Sequence, residues 1–460
     1  MTTPLFPLPL TTLEYYYWCD DSDAYPMTFP LELRFAPGMR RQQLEDALRL
    51  TLVRHPLLTS LIAGDAKHGP VWIPHDNDLP SIDWDHAQAP LGATRGDRMD
   101  LTRKPGLRVW ARGDEQQTRV LLQFHHACCD GLASLQFAED LMTHYARLGG
   151  GDLREVPLRP LDATRLFKRG SQAAPPMSWW TILRDWAVGA GLWTRFAWQS
   201  PMVLAAPSTP PAQPSTNSLD FSSQTLPAGV LSSLRRMMSH TDCTLNDLLL
   251  RDLLLTMRTW NASQGFPGGL FRINVPVSLR GRTDADLPAA NALSFVFLTR
   301  RASGGMATDS FLQGIHRETE TWKRWNLGLY FLGGLDLARG IPGLIPRFLR
   351  RRASLATVVL SNVGRVFARS PLPRQQGRVR CGEPVLQSVA GVPPIRRNTR
   401  ASIVALNYAG QLSLHMRCDA SLFERSQRDR LLRRYVDQLA QSARESESVP
   451  ARPQVATEGL

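Results

Sequence analysis

The heptapeptide His125-His126-Ala127-Cys128-Cys129-Asp130-Gly131 concentrates two imidazoles, two thiols and a carboxylate in seven positions of a 460-residue chain. It follows the apolar run Arg119 to Phe124 and precedes a stretch in which Leu135, Ala138, Leu141, Met142 and Tyr145 recur at helical spacing. That order places it on a strand-to-helix turn. Adjacent side chains at a strand end face opposite sides, so the two histidines cannot share one task and one of them is structural. An imidazole at the mouth of a cleft, titrating near neutrality, suits general-base work on a hydroxyl, amine or thiol. Asp130, four residues past His126, can fix the turn or the imidazole, with Gly131 available for an unusual backbone angle. Other readings use the same residues. The histidines can be a satisfied core pair, and Cys128 or Cys129 can be an acyl-accepting nucleophile beside His126. The side-chain types also suit zinc, although six consecutive residues on one turn rarely converge on one ion.

The elements that must position this turn mix strands and helices. Thr28 to Phe35 alternates as a strand and stops at Pro37-Gly38. Leu44, Leu48, Leu52 and Val53 form a helical stripe that ends before His55-Pro56, because a residue preceding proline avoids the α region. Leu107 to Trp110 and Arg119 to Phe124 read as strands, and Leu132 to Leu148 as an amphipathic helix closed by Gly149-Gly150-Gly151. Further on, Leu245 to Trp260 reads as a buried helix, Phe271 to Val277 and Leu293 to Leu298 as strands, and Thr357 to Leu360 as a short strand into a turn. Ile403 to Asn407 and Gln411 to Met416 flank Ala409-Gly410 as a hairpin, and Leu422 to Leu439 is a last amphipathic helix. The pattern predicts an α/β (α+β) class in both halves.

Length sets a prior of two domains of roughly 200 residues each. The divisions read from the sequence are 1–170 for a first subdomain carrying the histidine turn and 171–215 for a Trp/Pro-rich crossover. A second subdomain follows at 216–441, then a polar tail at 442–460. With 43% hydrophobic and 21% charged residues the chain is neither disordered nor low in complexity. The six cysteines show no CxxC spacing, so free thiols are expected and no metal. The net charge of +13 comes from 54 Lys+Arg against 41 Asp+Glu, but the basic residues are scattered, which argues against a nucleic-acid surface. No apolar run reaches the roughly 18 residues of a spanning helix. The start lacks a basic segment and meets Asp20 and Asp21 early, so a cytoplasmic protein is expected.

His125-His126-x-x-x-Asp130-Gly131 matches the HHxxxDG signature of the CoA-dependent acyltransferase superfamily. That superfamily includes chloramphenicol acetyltransferase, nonribosomal peptide condensation domains, polyketide-associated acyltransferases and wax ester synthase/diacylglycerol acyltransferases. Arg54-His55-Pro56-Leu57-Leu58 resembles its RHPxL, Thr244-Leu245-Asn246-Asp247-Leu248 its TxNDxL and Val275 to Arg280 its PVSLR. Asn291 to Ser294 resembles a GN-type turn with Ala290 in place of glycine. Ser361-Asn362-Val363 resembles its SNV, and Leu406 to Gly410 its LNYxG. The resemblance runs in order from about residue 4 to 440. There is no DFGWG, and SNVG continues as Arg365-Val366-Phe367 without the proline-rich tail of wax synthases.

The resemblance implies two chloramphenicol-acetyltransferase-like αβ sandwiches in a V, with a substrate tunnel between them. It implies His126 as general base, Asp130 paired with Arg280 to hold the loop, and Gly131 leaving room for a thioester arm. Asn362 with Ser361 would donate to the arm or the oxyanion, while His125 would support the site. No bound cofactor is implied. Acyl-CoA or a phosphopantetheine thioester would be co-substrate, with a hydroxyl or amine acceptor, small molecule or lipid. Two alternatives stand beside a CoA-dependent acyltransferase: a stand-alone condensation-type enzyme using an acyl or peptidyl carrier protein, and a non-catalytic relative that binds an acyl arm or lipid.

Trp179, Trp186 and Trp193 recur every seven residues, with Trp180, Trp198, Arg184 and Arg195 nearby. Segment 179–198 reads either as an interfacial helix for peripheral membrane contact or as a stripe packed on the protein's own body.

Overall fold

The computed structural model describes residues 4–65, 69–92, 98–170, 198–207, 220–281, 284–351 and 354–447, with Gly191, Thr194 and Phe196. Two sheets organise it. The first has the order β14-β2-β7-β6-β5, from β2 (Thr28–Ala36), β5 (Ile82–Asp85), β6 (Leu107–Gly113), β7 (Thr118–His125) and β14 (Val385–Gly391). The second has the order β10-β9-β11-β15-β16-β8. Its strands are β8 (Ser222–Thr225), β9 (Leu270–Ser278), β10 (Leu293–Arg301), β11 (Val358–Arg365), β15 (Ala401–Tyr408) and β16 (Gln411–Cys418). A small sheet of β1 (Leu8–Pro9), β4 (Gly69–Ile73) and β3 (Leu61–Asp65) and a ribbon of β12 (Arg374–Gln375) and β13 (Arg378–Val379) flank them.

The first sheet takes its fifth strand, at one edge, from the far half of the chain: β14 lies antiparallel to β2, with Gly391 opposite Leu31 at its end. Pro30, which has no N–H to offer, falls just beyond that last pair. Gly391 is a close approach, since a Cβ there would lie 2.7 Å from the Pro30 carbonyl oxygen.

Helix α2 (Arg41–Leu52) buries Leu44, Ala47, Leu48, Thr51 and Leu52, the i, i+3, i+4, i+7, i+8 stripe of an amphipathic helix. Val53, expected in that stripe, is instead the C-cap and 83% exposed. Helix α3 (Gly131–Gly149) packs beside it and ends at Gly150, whose φ of 74° only glycine adopts cheaply. Beyond α2, the Arg54 Nε donates to Asp140 Oδ2 at 2.8 Å, and the His55 Nε2 lies 3.2 Å from the same oxygen. His55 Nδ1 accepts from the Ala289 N–H at 2.9 Å, so one imidazole ties α2, α3 and the second half together. Burial, partly opposed by Asp140, holds the His55 pKa below its usual value.

The second sheet carries helix α5 (Leu245–Ser263), capped by Thr244 and Asp247, which follows α4 (Val230–Thr241). Helices α6 (Asp309–Arg324), α7 (Gly328–Arg339) and α8 (Leu344–Leu349) occupy the stretch between β10 and β11. Helix α9 (Arg425–Glu447) packs on α4 and α5. Rather than turning after Leu360, β11 runs on to Arg365, with a bulge between Asn362 and Gly364. Of the tryptophan stripe, Trp179, Trp180, Trp186 and Trp193 lie outside the described residues, while Trp198 is 86% exposed. Among the described residues no helix is long and apolar enough to cross a membrane.

Candidate active site

Two departures from regular pairing open a chamber between the halves. Strands β9 and β11 pair only at Ile273–Val358 and Asn274–Val359, and diverge beyond. Strand β14 stops at Leu31. The space left is walled by Phe29, His126 and Gly131 from the first half and by Pro276, Ser361 and Val404 from the second.

His126 sits at the strand-to-helix turn, its main-chain N–H donating to the Met27 carbonyl at 2.7 Å. Tyr17 stacks on the imidazole, ring centroids 4.0 Å apart and planes 14° from parallel, and Phe29 lies at 5.0 Å. Burial lowers the pKa of His126 to about 4, opposed by the residue's own backbone, then by the charge of Asp130 and the Asn291 amide. The ring is therefore a neutral base at pH 7. His125 does different work. Its Nδ1 accepts from the Ala127 N–H at 3.0 Å and its Nε2 is 3.8 Å from Asp21 Oδ2. Burial would raise Asp21, but His125, the Met27 N–H and Arg98 together hold it below the usual carboxylate range.

Asp130 faces away from the chamber and caps α3, its Oδ1 accepting from the Ala133 N–H at 2.8 Å. Arg280 Nη2 reaches both carboxylate oxygens at 3.2 and 3.0 Å, and the Ala292 N–H donates to Oδ2 at 2.8 Å. The same Arg280 nitrogen donates to the Ala290 carbonyl at 2.7 Å. Helix start, β9 end and the 290–292 loop are thus riveted through one carboxylate, and no chamber group is part of that network.

Gly131 has no positive φ, so the expectation of an unusual backbone angle is not met. Its worth is space: a Cβ built there meets nothing within 4 Å, and the residue borders the chamber. Strand alternation separates Ser361 from Asn362. Ser361 and Val363 border the chamber with Val404 and Leu406, whereas Asn362 does not, and its Oδ1 accepts from the Gly364 N–H at 3.1 Å. The structure therefore brings His126, Gly131 and Ser361 together, and leaves Asn362 on the other face of β11. Cys128 and Cys129 are fully buried, and burial pushes both thiols far up, the reverse of what a nucleophilic thiolate requires.

Two contributors carry no role in the sequence reading. Tyr17 comes from helix α1 (Thr12–Asp20), whose aromatic run has no amphipathic period. Its signal was the Thr11-x-x-Glu14 capping box ahead of that run, and both reciprocal bonds form. Asn291 donates from Nδ2 to the carbonyls of His126 and Ala127, at 2.8 and 2.9 Å. Its signal was only its place in a turn-like motif.

Phe295 borders the chamber and also a second, aromatic cavity. Phe295 meets Phe331 edge-on at 5.4 Å, and Phe297 lies 5.5 Å from Phe331. Phe295, Phe297 and Thr299 alternate along β10 on this cavity's wall, a span of ~13 Å at strand rise. Arg272 stands opposite Thr299 at its polar end.

No family model matches the chain. Its fold is that of the condensation domains. The first condensation domain of the calcium-dependent antibiotic synthetase, in complex with a substrate analogue, superposes with a TM-score of 0.67. That match has 18% identity and covers 95% of this chain and 96% of that one. Polyketide synthase associated protein 5 from Mycobacterium tuberculosis superposes with a TM-score of 0.61 at 16% identity, over 95% and 98% of the two chains. A Mycobacterium tuberculosis (strain ATCC 25618 / H37Rv) protein provisionally named diacylglycerol O-acyltransferase is 28% identical over 182 residues, 36% of this chain and 35% of its own. The chain is thus a two-subdomain α/β protein of the architecture shared by condensation domains and polyketide-associated proteins.

Proposed function

We propose that this protein transfers an acyl group from a thioester, carried by CoA or by a carrier protein's phosphopantetheine arm, to a hydroxyl or amine. The observation that carries the reading is a neutral, buried imidazole on the wall of a chamber bordered by both halves. His126 takes the proton of the acceptor O–H or N–H as that oxygen or nitrogen attacks the thioester carbon. The carbonyl becomes a tetrahedral oxyanion, for which the Ser361 hydroxyl on the opposite wall is the donor. Collapse of the intermediate breaks the C–S bond, and the leaving sulfur recovers the proton from His126 as a free thiol. Asp130 and Arg280 hold the turn and pass no proton. The aromatic cavity beyond Phe295 suits an apolar acyl chain, and its ~13 Å wall matches roughly ten methylenes.

The test is thiol release from an acyl-CoA series, short to long, with pooled alcohols, amines and diacylglycerol as acceptors. Acceptor-dependent release is expected in the wild type. His126→Ala, with its folding checked by thermal melting, should lose about 10²–10⁴-fold in turnover. Full turnover in His126→Ala overturns the mechanism. Silence with every CoA donor moves the reading to carrier-bound donors, tested with acylated carrier proteins. Silence there leaves a binding role.

A further inference from the structure

We infer that the outer groove of α7 and α8 is a docking face for an anionic lipid bilayer. These two helices carry more apolar surface than the fold itself uses. Leu335, Ile345 and Leu349 are buried and join the core that holds the first sheet. On the opposite side of α7 from Leu335, Leu337 is 59% exposed, and Ile341, four residues on, is 57% exposed. Leu337, Ile341, Leu344 and Phe348 follow one another at helical spacing and line the groove. A helix that is apolar on two sides needs a second apolar neighbour.

The rim of the groove says which neighbour. Arg347 and Arg351 line it with those side chains, and Arg350 is exposed beside them. Residues 327–351 hold four arginines against one aspartate, so the apolar strip is set in positive charge. Exposed aliphatic groups flanked by arginine fit the boundary between lipid headgroups and acyl chains. There the arginine stems lie along apolar surface while the guanidinium groups reach phosphate. Trp198, also exposed, immediately precedes Gln199 and Ser200 of the groove wall, and an indole favours the same boundary. An acidic protein would match the charge, but the groove leads inward. It shares Phe196, Gln199 and Arg272 with the aromatic cavity, which in turn borders the His126 chamber at Phe295. A slot that shares its walls with an apolar interior fits a lipid tail better than the surface of a folded partner.

The docking does not rest on the acyl-transfer reading. The experiment is co-flotation of the full chain with vesicles of phosphatidylcholine, alone or mixed with phosphatidylglycerol, at low and high salt. The wild type should float with the anionic vesicles, less with the neutral ones, and less at high salt. Arg347→Gln/Arg351→Gln should lower the partition by about fivefold for each arginine. Leu337→Ser/Ile341→Ser should lower it about tenfold or more. Thermal melting checks that both variants fold, as exposed positions predict; should one fail, the other decides together with the salt dependence. Absence of flotation with either vesicle overturns the inference. So does flotation that both variants retain, which would move the contact to another surface such as segment 179–198. A chain that ignores vesicles but binds an acidic carrier protein through these arginines also overturns it, and makes the groove a protein dock.

Discussion

Each half of the molecule builds an aspartate into the first turn of a buried helix, as N-cap in one and capping-box acid in the other, and keeps a histidine close by, yet the two arrangements are opposites. In the second half Asp247 caps α5, and the His316 Nδ1 lies 2.9 Å from its Oδ2. Thr319 Oγ1 donates to the other oxygen at 2.6 Å, and the Thr244 N–H and hydroxyl complete the set. Cys243, Asp247 and His316 bring potential ligand atoms within 4.8 Å of one another, but the carboxylate is already saturated. In the first half Asp130 caps α3 and turns its charge to Arg280, while the His126 ring packs against Tyr17 and Phe29. A histidine held by its neighbouring acid is satisfied structure. A histidine denied that acid and desolvated becomes a neutral base with nothing local to do, which is the state a proton-transfer step requires.

The largest effect that sharpens this contrast is on stability. Asp130→Ala takes the carboxylate from the largely buried Arg280 guanidinium, which keeps only the Ala290 carbonyl, and leaves the Ala133 and Ala292 N–H groups unmet, an expected loss of about 3–5 kcal/mol. Asp247→Ala takes the acceptor from the Thr244 N–H and the buried Thr319 hydroxyl but strands no guanidinium charge, so a smaller loss of about 1–3 kcal/mol is expected. Urea denaturation of both variants measures the difference. Equal losses would mean that the two caps are equivalent and the contrast is only geometric.

Acid should attack the desolvated histidines next. His126, His144 and His415 all have pKa values lowered by burial to about 4, against an ordinary 6.5. Their folded forms refuse protons that the unfolded chain accepts. The stability they contribute is complete above about pH 6.5 and is lost as pH falls toward about 4. Denaturation midpoints should decline steadily across that window, while turnover persists down to the low pKa of His126 until the fold gives way. A flat stability profile between pH 6.5 and 4.5 would contradict the burial of these rings.

How much of this could be read from the chain depends on whether the signal was local. Helix α2 and strands β2, β6 and β7 carry clean periods, and the Asp130–Arg280 pair emerged from a motif resemblance whose partners lie 150 residues apart. Helix α1 did not show, because Tyr15, Tyr16 and Tyr17 bury from several directions and erase the 3.6-residue period. Strand β14 was missed because its partner lies some 350 residues earlier and its sequence, VLQSVAG, alternates weakly. The chamber depends on where β9 and β11 part, a register that no single strand encodes.

The smallest effect on stability tests that register directly. If β11 had turned after Leu360, Asn362 could have reached the reacting carbonyl; because the strand runs on to Arg365, Ser361 faces the chamber and Asn362 the other side. A hydroxyl that donates to the oxyanion is typically worth about 10²–10³-fold in turnover, so Ser361→Ala should cost turnover on that order. It should leave the melting temperature unmoved. Asn362→Ala removes an acceptor for the Gly364 N–H at the bulge, where Gly364 has a φ of 73°, so it should loosen the strand and lower stability modestly. Any turnover loss in that variant should be smaller than in Ser361→Ala at a temperature where both are folded. The reverse order would place the amide, and not the hydroxyl, beside the developing negative charge, and would mean that β11 shifts by one residue when substrate enters the chamber.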